Sequence, residues 1–360
     1  MSPESVILML LLLLNRLSHQ CNKAVVEHKD DDCDFNDKLE DDHGNDYDYD
    51  DAFSTRDDDH DEEGDSGDAF QDAEDVKQSV VCANLSEAPQ HQTLPGAVIF
   101  GTKKGGTRAL LEFLNMHSQI KRAKNEVHYY DKNFSRGLDW YIRQMPNISE
   151  RQTALEKTPG YFHTLGVARR MRNVKNDTKL IMIVRHPVTR LISEYNQFRS
   201  NNLARGRSEY PTLESVTLTQ AGAVDPGYPP VVRSMYHIHM ARWLRMFPRS
   251  QIHVVDGDQF IKAPWTELSL LETFLGLRQE LMERNFYFNK SKGFFCGRQE
   301  LRRTGSEWSC VSHKCLSSSK GRPKPQVLQT LLSKLTDFFV PHNEKFFKQI
   351  GRRFDWNTLP

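Results

Sequence analysis

Residues 99–114 (IFGTKKGGTRALLEFL) bring a glycine pair, basic side chains and a hydroxyl together between an apolar run and a helix-forming run. The backbone N–H groups of such a turn, at the start of a helix, are suited to bind an anion. In the phosphate-binding loop of ATPases the lysine follows the glycines, as G-x-x-x-x-G-K-[ST]. Here two lysines come first, so the loop is not of the ATPase type; alone, it could also be an ordinary strand–helix turn. The residues of the candidate anion site are Lys104, Gly105, Gly106, Thr107 and Arg108.

Two further segments carry groups that bind phosphate. Arg185 directly follows the apolar run 180–184, and Ser193 lies about two turns into the helix that should follow. Arg185 can hold a phosphate with its planar guanidinium, and Ser193 can donate from the adjacent helix. A basic loop at 320–324 (KGRPK) comes soon after Cys315. Three separate anion-binding segments predict a ligand with phosphates at both ends, such as a nucleotide bisphosphate.

The elements that must position these groups are short strands alternating with helices. The apolar runs 97–100, 180–184 and 252–255 end in polar or glycine-containing turns, and helical stretches such as 233–247 separate them. Such runs are typical of parallel strands that are buried on both faces. The pattern predicts an α/β doubly wound domain over residues 96–360, with its ligands at the carboxyl ends of the strands.

The formal charge of zero for the whole chain hides two opposite segments. Residues 30–75 contain 23 acidic and two basic residues, which predicts a disordered acidic stem over about residues 21–95. Residues 76–360 carry 43 Lys and Arg against 23 Asp and Glu, a formal charge of about +20. That surplus favours a polyanionic partner. Nucleic acid, anionic lipid and sulfated polysaccharide all fit, and the charge alone does not choose among them.

The N-terminus and the cysteines indicate the compartment. Residues 6–14 (VILMLLLLL) form an apolar run of the length found in signal peptides, so residues 1–20 are predicted to be a signal peptide or an uncleaved signal anchor in the membrane. Five N-x-[ST] sequons and six cysteines without zinc-site spacing agree with the secretory lumen and with a disulfide rather than a metal site. These features disfavour a nucleic-acid partner. The sequence makes no prediction about oligomeric state.

Taken together, the motifs resemble one enzyme family. They are G-x-x-K-G-G-T-R-A-L-L-E-x-L, N-E-V-H-Y-Y-D, E-K-T-P-x-Y-F, I-V-R-x-P-x-x-R-x-x-S-x-Y, H-V-V-D-G-D and S-K-G-R, in consistent order over about residues 96–356. This set resembles the heparan sulfate glucosamine 3-O-sulfotransferases. The resemblance implies a P-loop-like sulfotransferase fold with a central parallel sheet flanked by helices. It also implies a Golgi enzyme that acts on heparan sulfate.

The resemblance further implies 3′-phosphoadenylyl sulfate (PAPS) as co-substrate, with no metal required. The glycine loop would hold the 5′-phosphosulfate, Arg185 and Ser193 the 3′-phosphate, and the basic loop would close over the nucleotide. The donor-binding residues implied in this way are Lys104, Gly105, Gly106, Thr107, Arg108, Arg185, Ser193, Phe295, Lys320, Gly321, Arg322, Pro323 and Lys324.

Catalytic roles also follow from the family motif. Glu126 would be the general base that takes the proton from the glucosamine 3-OH. Lys104 and Lys157 would stabilise charge in the transition state, and His128 and Asp131 would orient the base and the sugar. The acceptor would contact Arg122, Lys124, Glu126, His128, Lys157, Thr158, Pro159, Gly160 and Tyr228.

The sequence departs from the family pattern around its cysteines. Phe295 stands where many relatives have tyrosine, and Lys324 stands where they have histidine. The family disulfide would be Cys296–Cys315, while the additional Cys310 could compete for a partner or pair with another cysteine, at position 21, 33 or 82. Two other functions stay open: an N-sulfotransferase of the same fold, and a heparin-binding protein that has lost turnover.

Overall fold

The computed structural model describes residues 89–206, 210–301, 310–316 and 326–356. These residues belong to one compact unit that spans Gln78–Pro360. Outside the described residues lie the predicted leader, nearly all of the predicted acidic stem, and the basic-loop residues Lys320, Gly321, Arg322, Pro323 and Lys324. What the sequence indicates for them stays a prediction.

A five-stranded parallel sheet forms the centre of the domain. Its strands are β1 (Ala97–Gly101), β2 (Ile120–Arg122), β3 (Thr153–Lys157), β4 (Lys179–Val184) and β5 (Ile252–Asp256). They lie in the order β2–β3–β1–β4–β5, and every adjacent pair is parallel. The predicted α/β class is therefore confirmed. The three strands predicted from apolar runs are β1, β4 and β5, whereas β2 and β3 were not singled out by their sequence.

Helices cover both faces of this sheet. The stretch 233–247, predicted as helical, belongs to two helices: one ends at Ser234, the next begins at Tyr236, and Met235 lies between them. Among the described residues, no helix combines the length and apolar character needed to cross a membrane. The helices are α1 (Thr107–Leu114), α2 (Leu138–Arg143), α3 (Val167–Val174), α4 (Pro187–Ala204), α5 (Leu213–Thr217), α6 (Pro229–Ser234), α7 (Tyr236–Met246), α8 (Gly257–Lys262), α9 (Pro264–Leu275) and α10 (Gln329–Ile350).

Strands β1 and β4 are apolar over almost their whole length because each of their faces packs against a different core. On β1, Phe100 packs with the Trp243 ring of α7, at a centroid distance of 4.3 Å, while Ile99 belongs to the opposite core with Leu110 of α1. Side chains of a strand alternate between its two faces, so both halves of the alternation must be apolar here. Along β1 and β4, polar functional groups are consequently confined to the strand ends and the loops that follow them.

A small antiparallel sheet, β6 (Phe286–Asn289), β7 (Phe294–Leu301) and β8 (Cys310–Lys314), follows the main sheet in the chain. A disulfide joins Cys296 on β7 to Cys315 just beyond β8, with the two Cα atoms 4.7 Å apart. Cys296 is completely buried. The neighbouring Phe295 packs edge-on against Trp265 of α9.

Because the disulfide closes a 19-residue separation, its removal should lower the free energy of unfolding by about 3 kcal/mol. The test is the double variant Cys296→Ala/Cys315→Ala, compared with the oxidised wild type by urea denaturation. Reduction of the wild-type protein should give a loss of similar size. An unchanged free energy of unfolding would contradict a stabilising role for this bridge.

Candidate active site

The loop between β1 and α1 is shaped by its two glycines. A Cβ atom on Gly105 would lie 2.4 Å from the carbonyl oxygen of Ile183, so only glycine allows this approach to β4. Gly106 has φ 111°, a left-handed conformation that favours glycine, and it is the N-cap of α1. The loop thus passes close to the neighbouring strand and then exposes the first N–H groups of a helix, where an anion is stabilised.

Hydrogen bonds fix this loop to β4 and α4. Thr102 donates from both its backbone N and its Oγ1 to the Ile183 carbonyl, each at 3.0 Å. Lys104 has φ 68°, which is uncommon for a residue other than glycine. Its Nζ donates to Oε1 of Gln197 on α4 at 3.1 Å. The predicted Lys104 is therefore directed toward the helix that also carries Ser193, which is half-buried.

A buried arginine that sequence reasoning did not assign holds the same loop. Arg190, on α4, donates to the Lys103 carbonyl at 3.3 Å, to Ser234 Oγ at 2.8 Å and to Glu194 Oε2 at 2.8 Å. Glu194 also pairs with Arg233 at 2.9 Å. Arg190 and Glu194 are each only 1% exposed. Their i, i+4 spacing within the I-V-R-x-P-x-x-R-x-x-S motif was the available signal.

The predicted phosphate ligand Arg185 lies at the carboxyl end of β4 and is positioned by an aspartate on α8. Arg185 Nε lies 3.5 Å from Oδ1 of Asp258, and the other carboxylate oxygen of Asp258 accepts from His186 N at 2.9 Å. Tyr236 donates from its hydroxyl to the Arg185 carbonyl at 2.9 Å. Asp258 belongs to the H-V-V-D-G-D motif, to which no role had been given.

Four of the predicted catalytic residues lie in contact at the ends of β2 and β3. Lys157, the last residue of β3, donates from Nζ to Glu126 Oε1. His128 Nε2 lies 3.6 Å from Glu126 Oε2, and His128 Nδ1 lies 2.8 Å from Asp131 Oδ2. The imidazole therefore bridges two carboxylates, and Glu126 lies between two cationic groups. Lys104 belongs to the loop after β1, the strand that pairs with β3.

This arrangement shifts the pKa values of both Glu126 and His128. Burial raises the pKa of Glu126, but His128 and Lys157 outweigh it and lower the pKa from 4.5 to about 2. Burial likewise lowers the pKa of His128, but Asp131 and Glu126 outweigh it and raise the pKa from 6.5 to about 9. Near neutral pH the cluster thus holds an ionised Glu126 beside a protonated His128.

The predicted acceptor-binding residues outside the catalytic group lie in different environments. Arg122 pairs with Glu112 at 3.3 Å, and Lys124 is exposed, two residues before Glu126. Thr158 and Pro159 are buried, and Thr158 donates its hydroxyl to Glu156, which gives them supporting rather than surface positions. Two other predicted acceptor positions are set apart from these: Gly160 lies beside Asp131, and Tyr228 is partly buried in the apolar cluster of α4 and α10. Arg108, which was predicted to bind the donor, pairs with Glu112.

Comparison with known proteins decides the family. A sulfotransferase domain model matches residues 94–347. Heparan sulfate glucosamine 3-O-sulfotransferase 5 of Homo sapiens is 39% identical over 267 residues, which cover 74% of this chain and 75% of that protein. The chain belongs to the heparan sulfate glucosamine 3-O-sulfotransferase family. It is accordingly a sulfotransferase enzyme.

Other relatives agree with this assignment. Heparan sulfate glucosamine 3-O-sulfotransferase 6 of Homo sapiens is 38% identical over 76% of each chain. Among solved structures, a sulfotransferase from Alicyclobacillus acidocaldarius matches with a TM-score of 0.54 at 20% identity, covering 74% of this chain and all of that one. That likeness shows the shared fold. Within the described ranges, no group of three His, Cys, Asp or Glu residues is placed to hold a metal ion.

The charge cluster predicts an unusual titration of one histidine. The pKa of His128 should be near 9 in the wild type and should fall toward 6.5 in Asp131→Asn, because the variant removes one of its two carboxylate partners. NMR titration of the imidazole C–H signals measures both values. His237 on α7, with a pKa lowered to about 4 chiefly by burial, is the internal reference and should not move.

The same shift has a consequence for stability. Because the pKa of His128 is higher in the folded than in the unfolded protein, its contribution is fully present below about pH 6.5 and is lost as the pH rises toward 9. Asp131→Asn should weaken that dependence on alkaline pH. A wild-type His128 that titrates near 6.5 would contradict the bridged geometry.

Proposed function

We propose that this enzyme transfers a sulfonate group from PAPS to the 3-OH of glucosamine residues in heparan sulfate, in the Golgi lumen. The observation that carries the proposal is the contact group of Glu126, His128, Asp131 and Lys157. Lys157 ends β3, which pairs with β1, the strand that leads into the glycine loop. A binding protein would not need a carboxylate held between two cations at that place.

The residues around the glycine loop fit the phosphosulfate end of the donor. The space above Gly105 is limited by β4, and the N-terminus of α1 supplies N–H groups for an anion. Arg185 and Ser193 would hold the 3′-phosphate, with Asp258 fixing the Arg185 guanidinium. When bound, the donor supplies an activated sulfonate on a phosphate leaving group. Lys104 would place positive charge near that group.

Glu126 would act as the general base. It is ionised near neutral pH and can accept the sugar hydroxyl proton, an effect that typically contributes about 10²–10⁴-fold in rate. While Lys157 pairs with Glu126, the carboxylate is a weak base. If Lys157 turns toward the negative charge of the transferring group, the basicity of Glu126 rises and Lys157 stabilises the transition state. His128 and Asp131 would keep the carboxylate aimed at the hydroxyl.

The positive charge of the chain supports heparan sulfate as the acceptor. The apolar N-terminal run and the disulfide support a location in the secretory pathway. The surplus of about +20 over residues 76–360 suits a sulfated chain, with Arg122 and Lys124 beside the base. The apolar run 6–14 supports entry into the secretory pathway, by a cleaved signal or by a membrane anchor. The Cys296–Cys315 disulfide also suits an oxidising compartment.

The test is the variant Glu126→Gln. It should abolish transfer of labelled sulfonate from PAPS to heparan sulfate while leaving the Kd for adenosine 3′,5′-bisphosphate nearly unchanged, because the amide keeps the size but cannot accept the proton. Glu150→Gln is the matched control, since Glu150 is an exposed carboxylate outside this group and should keep full activity.

Disaccharide mapping of the wild-type product separates the candidate functions. New sulfate at the 3-O position supports the proposal, whereas new N-sulfate would favour the N-sulfotransferase alternative. Turnover retained by Glu126→Gln would refute the base assignment. Wild-type protein that binds heparan sulfate but transfers nothing would favour the binding-protein alternative.

Lys104→Ala tests the donor side of the site. It should weaken binding of adenosine 3′,5′-bisphosphate and lower kcat together, because Lys104 would contact the phosphosulfate in both the ground and the transition state. Calorimetry and single-turnover kinetics measure the two effects. Lys121→Ala, which removes an exposed lysine on β2, should change neither. An unchanged single-turnover rate in Lys104→Ala would exclude Lys104 from the chemistry.

A further inference from the structure

We propose that Glu156 is a positioning residue for the catalytic base: acting through two hydroxyl groups, it fixes the backbone of residues 128–130. The inference rests on the proposed function, since it concerns how Glu126 and His128 are held. Glu156 precedes Lys157 on β3 and has no part in the mechanism described above.

Glu156 is a carboxylate at the centre of a group of hydroxyls. It is fully buried, and its oxygens accept from Thr158 Oγ1 at 2.7 Å, from the Tyr161 hydroxyl at 2.9 Å and from the Tyr141 hydroxyl. Burial raises the pKa of Glu156, while these hydrogen bonds oppose that effect. Burying a carboxylate is costly unless such donors surround it, so its place in this core requires an explanation.

Two of the three hydroxyls also accept hydrogen bonds from backbone N–H groups of residues 128–130. The Tyr161 oxygen accepts from the backbone N of Tyr129 at 2.8 Å and of Tyr130 at 3.4 Å. The Thr158 oxygen accepts from the backbone N of His128 at 3.4 Å. Each of these two hydroxyls directs its proton to Glu156. The lone pairs of the hydroxyl oxygens are therefore available to the backbone N–H groups of the consecutive residues 128–130. Hydrogen bonds arranged in such a chain strengthen one another.

These amides belong to a segment whose conformation needs support. His128 has φ 50°, a left-handed conformation that costs free energy for a residue other than glycine. The conformation places its imidazole between Glu126, at 3.6 Å, and Asp131, at 2.8 Å. The connection therefore runs from the buried carboxylate through the hydroxyls to the backbone of His128, and from the imidazole to the base.

The third hydroxyl provides a matched control. Tyr141 donates to the same carboxylate, and its ring stacks on Tyr129 with a centroid distance of 4.2 Å. The backbone N–H groups of residues 128–130 donate to the Thr158 and Tyr161 hydroxyls, whereas the Tyr141 hydroxyl hydrogen-bonds with the side chain of Tyr130. Tyr141→Phe thus removes the hydrogen bonds to Glu156 and to the Tyr130 side chain and keeps the packing, while the backbone hydrogen bonds of residues 128–130 are retained.

The experiment compares Tyr161→Phe with Tyr141→Phe in the full chain. In Tyr161→Phe, kcat for transfer to heparan sulfate should fall about 10- to 100-fold, because the base is displaced from its productive position. The Kd for adenosine 3′,5′-bisphosphate should not change. The pKa of His128 should fall from about 9 toward 6.5, and amide exchange of Tyr129 and Tyr130 should accelerate. Tyr141→Phe should keep the His128 pKa and most of kcat.

Two further variants keep the proposal testable if Tyr161→Phe does not fold. Thr158→Val removes the other hydroxyl and should lower kcat and the His128 pKa in the same direction. In Glu156→Gln the amide oxygen can still accept from both hydroxyls, so kcat should stay within about threefold of the wild type. If Glu156→Gln lowers kcat as much as Tyr161→Phe does, the proposal that Glu156 acts through these hydroxyls is wrong.

The readouts separate this inference from the proposed function. If Tyr161→Phe and Tyr141→Phe lower only thermal stability, equally and without a change in the His128 pKa, Glu156 is a core residue and the inference is wrong. The His128 pKa and the amide exchange rates need no turnover. They therefore test the inference even if the wild type transfers no sulfonate to heparan sulfate, a result that would refute the proposed function instead.

Discussion

Burial of both faces of the parallel sheet is the constraint on which the site depends. With apolar cores on either side of β1 and β4, charged groups can be placed only where the strands end. Parallel strands all end at one edge, so residues far apart in the chain meet there. Lys157 at the end of β3 and Arg185 after β4 share that edge. The chemistry therefore lies above the sheet and not within a core.

Strand order divides this edge into two regions. In the order β2–β3–β1–β4–β5, the contact group of Glu126, His128, Asp131 and Lys157 comes from the ends of β2 and β3, and the predicted anion-binding residues follow β1 and β4. The regions meet between β3 and β1, where Thr158 N donates to the Ile99 carbonyl at 3.1 Å. Under the proposed function, transfer takes place at this junction. Lys157 and Lys104 would flank it, one from each region.

The sequence predicted the features that depend on neighbouring residues, but it did not predict those that depend on contacts between distant segments. Strands β1, β4 and β5 were predictable because each is a continuous apolar run, whereas β2 has three residues and β3 ends in Glu156 and Lys157. The glycine loop was readable because its spacing is local. The group around Glu126 came from a family motif rather than from any local pattern.

Residues that support the site were missed because their partners are distant in the chain. Asp258 holds Arg185 from 73 residues away, and Arg190 reaches the carbonyl of Lys103 across 87. Thr158 shows a different limit of sequence reasoning. The family motif led to a prediction of sugar contact, whereas the side chain lies within the core with its hydroxyl on Glu156. A motif therefore identifies which residues matter, but burial and partners determine how each one acts.

Consecutive residues of β3 illustrate how one short strand can serve both needs. Because side chains alternate along a strand, Glu156 lies in the core, while Lys157 reaches Glu126 at the edge. The Glu156 carboxylate accepts from hydroxyls that in turn accept from the backbone N–H groups of residues 128–130, and Lys157 pairs with Glu126. Thr158 directly follows the strand, and its hydroxyl oxygen contacts both Glu156 and the backbone N of His128. A one-residue shift of β3 would exchange these faces, turning the lysine into the core without a carboxylate partner and moving Glu156 to the side of Glu126. The pairing of β3 with β1, with Lys157 opposite Ile99, therefore fixes the chemistry as well as the fold.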